Sequence, residues 1–250
     1  MRAYLTLIRR ELAGFFVSLT GYIIIAAAVF LMGLSFVMLL TKLQGDPTPL
    51  PITQLFYSTD CFWLILILAA PVITMRLFAL ERHTGTFETL MTTPISDLQV
   101  VLAKFSAALI FYMLMWLPLL GCIFILSRYT NNPGIMDTGL LGSTFLGIFL
   151  LGGVFMSLGC FASALSRSQI IAAMLSLSFG FTLFVLSFLA SQLPVNNGWQ
   201  TEVLSHFALI DQMNDFARGV VDTRSVVFYV STTVLFLFLT LRVVESRRWN

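Results

Sequence analysis

The chain has 250 residues, of which 58% are apolar and only 10% are charged, and it carries a formal net charge of +2. Soluble domains have roughly 25% charged residues, so these few charges could not cover a soluble surface of this size. The small net charge and the lack of a Lys/Arg-rich run in the sequence also disfavour a nucleic-acid partner.

The three cysteines predict neither a disulfide framework nor a metal site. Cys61, Cys122 and Cys160 are far apart, each in an apolar run, without a C-x-x-C spacing. We therefore interpret them as small apolar packing residues. The first apolar stretch follows a basic start and lacks the short apolar core and cleavage site of a secretory signal, so we expect no cleaved signal.

Six apolar segments are long enough to cross a bilayer, which requires about 20 residues. They cover approximately residues 21–40, 61–80, 102–126, 139–165, 170–193 and 226–244. The predicted fold class is an all-α polytopic integral membrane protein with six transmembrane helices. Residues 1–250 are expected to form a single transmembrane domain.

The distribution of basic residues predicts the orientation in the membrane. If the N-terminus is cytoplasmic, ten of the 14 Lys and Arg residues fall on the cytoplasmic side and four on the other. Cytoplasmic loops carry an excess of Lys and Arg in membrane proteins. An even number of spans places both termini on one side, so we expect both to be cytoplasmic.

An amphipathic helix is predicted before the first span. Tyr4, Ile8, Leu12 and Phe15 share one helical side. The charged residues of this interface helix are Arg2, Arg9, Arg10 and Glu11. A basic amphipathic helix is expected to lie in the cytoplasmic headgroup plane. Two interpretations are open: the helix is only a positive-inside anchor, or it also contacts a cytoplasmic partner.

Two capping boxes are predicted at span starts on the cytoplasmic side. Ser96 with Gln99 would cap the third span, and Ser166 with Gln169 would cap the fifth.

The fourth span is rich in small residues, which allow helices to approach closely in lipid. Two sets are spaced four residues apart: Gly139, Ser143 and Gly147, and then Gly159 and Ser163. We interpret them as faces for packing within the chain, and a dimer interface is the alternative.

A short cytoplasmic helix is predicted between the second and third spans. Gly85 interrupts the polar stretch after the second span, a helix could run from Thr86 to about Thr92, and Pro94 follows it. Glu88 lies near the positive helix start, and Phe87, Leu90 and Met91 form an apolar side. A soluble partner that grips this helix could move two spans together.

The stretch GTFETLMTTPISDLQVVLAKF resembles the signature of class-2 ABC-type permeases, in which this segment is the coupling helix that docks on the ATP-binding subunit. The matching residues are Gly85, Thr86, Glu88, Leu90, Pro94, Ser96 and Lys104, with Met91 a mild departure. The C-terminal region resembles the gliding-motility and copper-site-maturation branch, through Gly219–Asp222, Tyr229 and the terminal Arg248-Trp249.

The resemblance implies a permease subunit of an ATP-driven transporter, usually an exporter, in a bacterial cytoplasmic (inner) membrane. It implies cytoplasmic ABC ATPase subunits as partners and a second permease copy or a homologous permease in a dimer. An auxiliary outer-domain protein is a further candidate partner, and the lipid bilayer surrounds the spans.

The outer segment at about residues 194–225 is too long for a plain turn. Leu209, Met213, Phe216 and Val220 form an apolar stripe, which predicts an amphipathic helix on or dipping into the outer leaflet. The polar stripe is Asp211, Asp215, Arg218 and Asp222. The family resemblance implies a re-entrant helix that closes the pathway. A solvated connector with an Asp215–Arg218 ion pair is the alternative.

The sequence lacks the chemistry that would power transport within this chain. It has no G-x-x-x-x-G-K-[ST] motif, so we expect no enzyme activity and no cofactor here, with ATP and Mg bound by the partner subunit. None of the twelve carboxylates lies well inside a predicted span, and both histidines lie outside. This disfavours a secondary transporter or channel. A non-transporting scaffold or mechanical coupler driven by an ATPase stays open.

Overall fold

The computed structural model describes residues 2–43, 60–85, 96–130, 138–192 and 206–246. These residues form ten α-helices and no strand. In chain order they are α1 (Arg2–Val17), α2 (Leu19–Leu43), α3 (Asp60–Thr74), α4 (Ala79–His83), α5 (Asp97–Trp116), α6 (Pro118–Thr130), α7 (Thr138–Leu165), α8 (Gln169–Gln192), α9 (Leu209–Ala217) and α10 (Thr223–Ser246).

Six segments are long and apolar enough to cross a membrane, and they confirm the predicted all-α polytopic fold. Spans one, four, five and six are the single helices α2, α7, α8 and α10. Span two, Cys61–His83, contains α3 and α4, and span three, Asp97–Ile125, contains α5 and most of α6. Only helices and closed barrels satisfy every backbone polar group in hydrocarbon, which is why long apolar runs form helices here.

The fourth span is the centre of the bundle. Helix α7 packs against α3, α5, α8, α9 and α10. In its most apolar stretch 78% of the residues are buried, whereas the corresponding share in α10 is 11%. Spans one, five and six turn most of their apolar side chains outward. These exposed faces suit a lipid environment, since hydrocarbon imposes no penalty on apolar surface.

The second span is broken between α3 and α4, and the fourth span fills the break. At the break, Ser163 Oγ accepts hydrogen bonds from the backbone amides of Phe78 and Ala79, at 3.1 and 3.2 Å. A Cβ on Gly159 would lie 2.1 Å from Thr74 Oγ1, so only glycine allows this approach. Gly159 and Ser163 therefore face the second span of the same chain.

One predicted capping position is confirmed and the other is wrong. Ser96 is the N-cap of α5, and its side chain accepts a hydrogen bond from the Gln99 amide at 3.4 Å. Helix α8 begins at Gln169, so Ser168 takes the cap position instead of Ser166. Ser166 Oγ accepts from the Ser168 amide at 3.0 Å, which forms a local turn before the helix.

Candidate functional site

The predicted coupling helix lies mostly outside the described residues, but the structure shows what precedes and follows it. Thr86, Phe87, Glu88, Leu90, Met91 and Pro94 are outside the described ranges, and Gly85 is the last residue described before them. Gly85 is exposed and has φ +73°, a left-handed conformation that glycine adopts without strain. We call the end of the bundle that contains Gly85 and Ser96 the basal end, and the opposite end the apical end.

Both helices that flank residues 86–95 are fixed at the basal end. The Arg82 guanidinium donates to the backbone carbonyl of Ala164 in the last turn of α7. This contact is favourable because a helix C-terminus has unpaired carbonyls and a partial negative charge. On the other flank, Ser96 caps α5. The end of α4 is therefore bonded to α7, and α5 begins with a capped first turn.

Four charged side chains form a cluster beside these anchors, which we call the basal cluster: Arg10, Glu11, Glu81 and Lys104. Lys104 Nζ lies 3.1 Å from Glu11 Oε1 and 2.9 Å from Glu81 Oε1. Arg10 Nη2 lies 2.8 Å and 3.2 Å from the same two oxygens. Each cation bridges both carboxylates, so the cluster joins α1, α4 and α5 with no net charge.

The cluster is shielded from solvent most strongly at its lysine. The Lys104 side chain is 2% exposed and lies over the Phe78 ring, 5.4 Å from its centroid. Burial by itself would raise the pKa of Glu11, but Lys104 and Arg10 outweigh it and hold that pKa below its ordinary value. The hydrogen bond to Glu11 raises the pKa of Arg10 despite partial burial. All these shifts favour the charged forms.

Helix α1 contacts the third span at several points along its length. The Tyr4 hydroxyl hydrogen-bonds to Ser106 Oγ at 2.7 Å, and the Phe15 ring stacks on Phe111 with centroids 4.8 Å apart. Of the other predicted interface residues, Arg2 is the first residue of α1 and Arg9 is exposed. The helix thus packs against the bundle with one face and presents basic residues on another.

The junction between α1 and α2 is a tight corner. Ser18 alone separates the two helices, and a Cβ on Gly21 would lie 2.1 Å from the Phe15 carbonyl oxygen. The Arg76 guanidinium, in the break between α3 and α4, donates to Ser18 Oγ at 2.7 Å and also contacts the Thr20 hydroxyl. The corner is therefore held against the second span.

At the apical end, α9 is the amphipathic helix predicted in the outer segment. Leu209, Met213 and Phe216 are buried, at 1%, 0% and 1% exposure, whereas Val220 lies beyond the helix and is 57% exposed. Val220 is therefore not part of the apolar stripe, as it was predicted to be.

The polar residues of the outer segment do not act as one stripe. Asp211, Asp215 and Arg218 are exposed, and the described residues show no ion pair between Asp215 and Arg218. Partial burial raises the pKa of Asp211 above its ordinary value, and the negative charge of Asp215 adds a smaller rise. Asp222 instead precedes the last span, where its carboxylate accepts a hydrogen bond from the Arg224 amide at 2.9 Å. It has the geometry of an N-cap.

The residue pattern Gly219–Asp222 has a structural explanation in the turn between α9 and α10. Gly219 has φ +87°, and its amide donates to the Phe216 carbonyl at 3.1 Å. The Val220 amide donates to the Asp215 carbonyl at 2.9 Å, which completes a Schellman helix end. Gly219 thus ends α9 and Asp222 begins α10.

The small residues of the fourth span form the site in which α9 packs. Ser143 Oγ donates to the Phe216 carbonyl at 2.8 Å, and a Cβ on Gly147 would lie 3.0 Å from Phe216 side-chain atoms. At the other end of α9, Ser187 Oγ of α8 accepts from the Ile210 amide at 3.0 Å. Gly139 is exposed one turn before Ser143. Two neighbouring spans therefore fix both ends of α9.

The basal cluster was not predicted from the sequence. Lys104 was singled out only as a motif residue and Glu11 only as part of the interface helix. Glu81 was counted only among the carboxylates that do not lie well inside a predicted span. The one available signal was Lys104 itself, a cation seven residues inside an apolar span that needs a buried counter-charge.

A family model matches most of this chain. The family described as ABC-2 family transporter protein matches residues 50–244, which include spans two to five, most of span six and the segment between residues 85 and 96. The search of curated proteins finds no match.

Proposed function

Because the chain belongs to the ABC-2 family of transporter proteins and is a multi-pass membrane permease, we propose that it exports its substrate by alternating access powered by a separate ATPase subunit. The match over residues 50–244 carries this proposal, since it covers 195 residues of the chain together with the predicted coupling segment. The sequence has no phosphate-binding loop of its own, so ATP and Mg belong on the partner.

We propose that residues 86–94 are the site that the ATPase grips. The position of the segment between α4 and α5 supports this assignment, because a force applied to the segment would reach both helices directly. Glu88, Leu90 and Met91 would make the contact, and Gly85 and Pro94 would delimit it. A pathway lined by the Phe, Met, Ser and Thr residues of the spans would suit a lipid-like or amphiphilic cargo better than a small ion.

The assembly that we propose is a dimer of permeases, from a second copy or a homologous chain, with two ATPase subunits. It lies in a bacterial inner membrane with both termini in the cytoplasm, as the distribution of basic residues predicts. Within the family, the likeness of Gly219–Asp222 and the C-terminus favours the gliding-motility and copper-maturation branch, in which an auxiliary outer-domain protein would be a further partner.

A mechanical coupler that transmits ATPase motion without transport is the second candidate. The fixation of α9 by both Ser143 and Ser187 favours it, because a helix held at both ends suits a closed apical side. A secondary transporter is disfavoured, since the basal cluster pairs the buried Lys104 with carboxylates at one end of the bundle.

The test combines ATPase binding with transport. The chain is purified with the ATPase that co-purifies, reconstituted in liposomes, and assayed for ATP hydrolysis and for ATP-dependent movement of a fluorescent phospholipid analogue. Glu88→Arg and Leu90→Glu are expected to release the ATPase or to separate hydrolysis from movement. Glu245→Arg, on the exposed end of α10, is the control. Unchanged binding and movement with both coupling variants would exclude the assignment.

A mechanical coupler would instead give hydrolysis that depends on Glu88 and Leu90, with no movement of any lipid analogue in the wild-type complex. A chain that moves the analogue without an ATPase would contradict both proposals.

A further inference from the structure

Arg76 is a cation inside span two that has no counter-charge among the described residues. It lies in the break between α3 and α4, and no carboxylate in the described ranges forms an ion pair with its guanidinium. Its hydrogen bonds go to two neutral hydroxyls, those of Ser18 and Thr20. Lys104, by comparison, pairs with two carboxylates. An ionisable side chain within a span that lacks a charged partner indicates a functional site.

The contacts of Arg76 leave much of its hydrogen-bonding capacity available. A guanidinium has five N–H donors in a planar fork. Both bonds come from Nη1, so Nε and Nη2 have no acceptor in the part of the chain that the structure describes. The Ser18 and Thr20 hydroxyl oxygens lie 2.5 Å apart, so one donates to the other and one hydroxyl proton remains. These donors converge from two spans, and they match the oxygens of a phosphate group.

The site lies at the depth of the lipid headgroups. Span one begins at Leu19, so Ser18 and Thr20 stand at the boundary of its apolar run at the basal end. Arg76 reaches them from span two, and its side chain is only partly buried. Basic pockets between membrane helices bind anionic lipid headgroups. The phosphates of the basal leaflet, the leaflet at the basal end of the bundle, are the anions that this site meets at the highest concentration.

An exposed apolar strip on span one begins beside these donors. Ile23, Ala27 and Phe30 follow Thr20 by three, seven and ten residues, which places them along one side of α2. All three are exposed, Ile23 to 57% and Phe30 to 69%. From Thr20 to Phe30 the helix rises about 15 Å, which is half of the hydrocarbon thickness. One acyl chain of the basal leaflet would cover this length.

We propose that Arg76, Ser18 and Thr20 bind the phosphate of a phospholipid from the basal leaflet, with one acyl chain along the strip of Ile23, Ala27 and Phe30. The guanidinium neutralises the phosphate, and the hydroxyls orient it. The lipid supplies the counter-charge that the described residues do not, and it joins the starts of span one and of α4. This inference is independent of ATP hydrolysis and of the cargo.

Native mass spectrometry of the delipidated full chain measures this binding directly. The chain is titrated in a mild detergent with dioleoyl phosphatidylglycerol or with dioleoylglycerol, which has the same chains and no phosphate. We expect one tightly bound molecule of the phospholipid and no such binding of dioleoylglycerol. An excess of inorganic phosphate should not displace the phospholipid, because it lacks the apolar chains.

The side chains of the site give a graded set of variants. Arg76→Gln should weaken the affinity for phosphatidylglycerol by about tenfold or more, since it removes charge-assisted hydrogen bonds. Arg76→Lys keeps the charge without the planar fork, so its affinity should lie between the two. Thr20→Val keeps the shape of the side chain and should cause a smaller loss. Arg242→Gln, which removes an exposed cation near the end of α10, is the matched control and should bind like the wild type.

The unfolding temperature separates lipid binding from a purely structural role of Arg76. Phosphatidylglycerol should raise it in the wild type and in Arg242→Gln, and it should raise it much less in Arg76→Gln. A residue that only holds the corner between α1 and α2 would lower the unfolding temperature by the same amount with and without lipid. If Arg76→Gln does not fold, Arg76→Lys and Thr20→Val are measured by the same criteria.

A fluorescent reporter locates the acyl chain. Ile23→Trp places an indole on the strip, and phosphatidylglycerol with brominated chains quenches indoles in its vicinity. The emission of this indole is the difference between the variant and the unsubstituted chain. It should be quenched at about tenfold lower lipid concentration than in the same variant carrying Arg76→Gln, in line with the expected difference in affinity.

Four outcomes would overturn the inference. Equal affinity of the wild type and Arg76→Gln for phosphatidylglycerol would remove Arg76 from the site, and equal binding of dioleoylglycerol would remove the phosphate. Displacement of the lipid by inorganic phosphate would indicate a site for a free anion. A dimer that binds no phospholipid and dissociates in Arg76→Gln would show that a second copy of the chain covers the strip.

Discussion

Lys104 is the buried cation of the basal cluster, and it pairs with both carboxylates. Its ammonium lies 2.9 Å and 3.1 Å from two carboxylates that are themselves only 16% exposed. Lys104→Met would keep much of the volume but leave the two carboxylates facing each other with only Arg10 between them. We expect a loss of about 3 kcal/mol in the free energy of unfolding, the usual cost of stranding a buried charge.

The measurement is the unfolding transition of the purified chain in detergent, with Arg242→Met as the matched control. Arg242 pairs with Glu245 at 3.1 Å, but both side chains are exposed, so its loss should change the free energy by no more than about 0.5 kcal/mol. Equal effects of the two variants would show that the cluster contributes no more than a surface pair.

Glu11 should make the free energy of unfolding depend on pH at acidic pH. Its pKa in the folded chain is lower than the ordinary value of 4.5, so the stabilisation from its charge is fully present above that value. It is lost as the pH falls through the folded pKa, when the carboxylate takes up a proton and releases Lys104 and Arg10.

We therefore expect the unfolding temperature of the wild type to fall more steeply between pH 5 and about pH 3 than that of Glu11→Gln. At pH 7 the variant should be the less stable of the two. Parallel curves would contradict a lowered pKa for Glu11.

The sequence could not predict the partners of Lys104, although it pointed to the residue. Glu11 and Glu81 are 93 and 23 positions away, and pairing across such distances depends on how α1 lies against α5. Periodicity within α1 distinguishes an apolar from a basic side, but it does not indicate which helix covers the apolar side. The interface helix was predicted correctly as a helix, and its contacts emerged only from packing.

At the scale of elements, the glycines of α7 decide how closely its neighbours approach. Gly147→Ala would place a Cβ 3.0 Å from Phe216 and 3.2 Å from Met213 Sδ, so α9 would have to shift outward. We expect a loss of about 1–2 kcal/mol in stability from overpacking. Faster hydrogen exchange is expected for the α9 amides from Ile210 to Ala217.

Gly142→Ala is the matched control for this prediction. It lies in the same helix, and its added Cβ would meet no atom within 4 Å. Since alanine favours a helix over glycine by roughly 1 kcal/mol, this variant should be neutral or slightly more stable. If both variants loosened α9 to the same extent, contact with α7 would not be what fixes it.

The six predicted spans are helical because the hydrocarbon core of the membrane offers no hydrogen-bond partner to the backbone. In hydrocarbon, an apolar run of about 20 residues has to be helical, so six spans could be read from composition alone. Local capping was predictable only where a side chain reached the expected amide: Ser96 does so, whereas Ser166 bonds two residues ahead and leaves the cap to Ser168. The break in span two was not predicted, because the group that satisfies its amides, Ser163, comes from another span.

At the scale of the whole molecule, the two ends of the bundle differ in kind. The basal end carries ion pairs that join α1, α4 and α5. At the apical end α9 packs on the spans with an apolar buried face, and its two ends bond to serine hydroxyls. A cluster of ion pairs thus lies at one end, and close apolar packing lies at the other. This division suits a permease that receives motion at the basal end.

The orientation of these ends can be tested in cells. Ten of the 14 basic residues predict that the basal end is cytoplasmic. In a background without native cysteines, His83→Cys reports on the basal end and Val220→Cys on the apical end, and both positions are exposed. A membrane-impermeant maleimide should label Val220→Cys in intact cells and His83→Cys only in inside-out vesicles. The reverse pattern would place the basal cluster and residues 86–94 outside the cell, where no cytoplasmic ATPase could reach them.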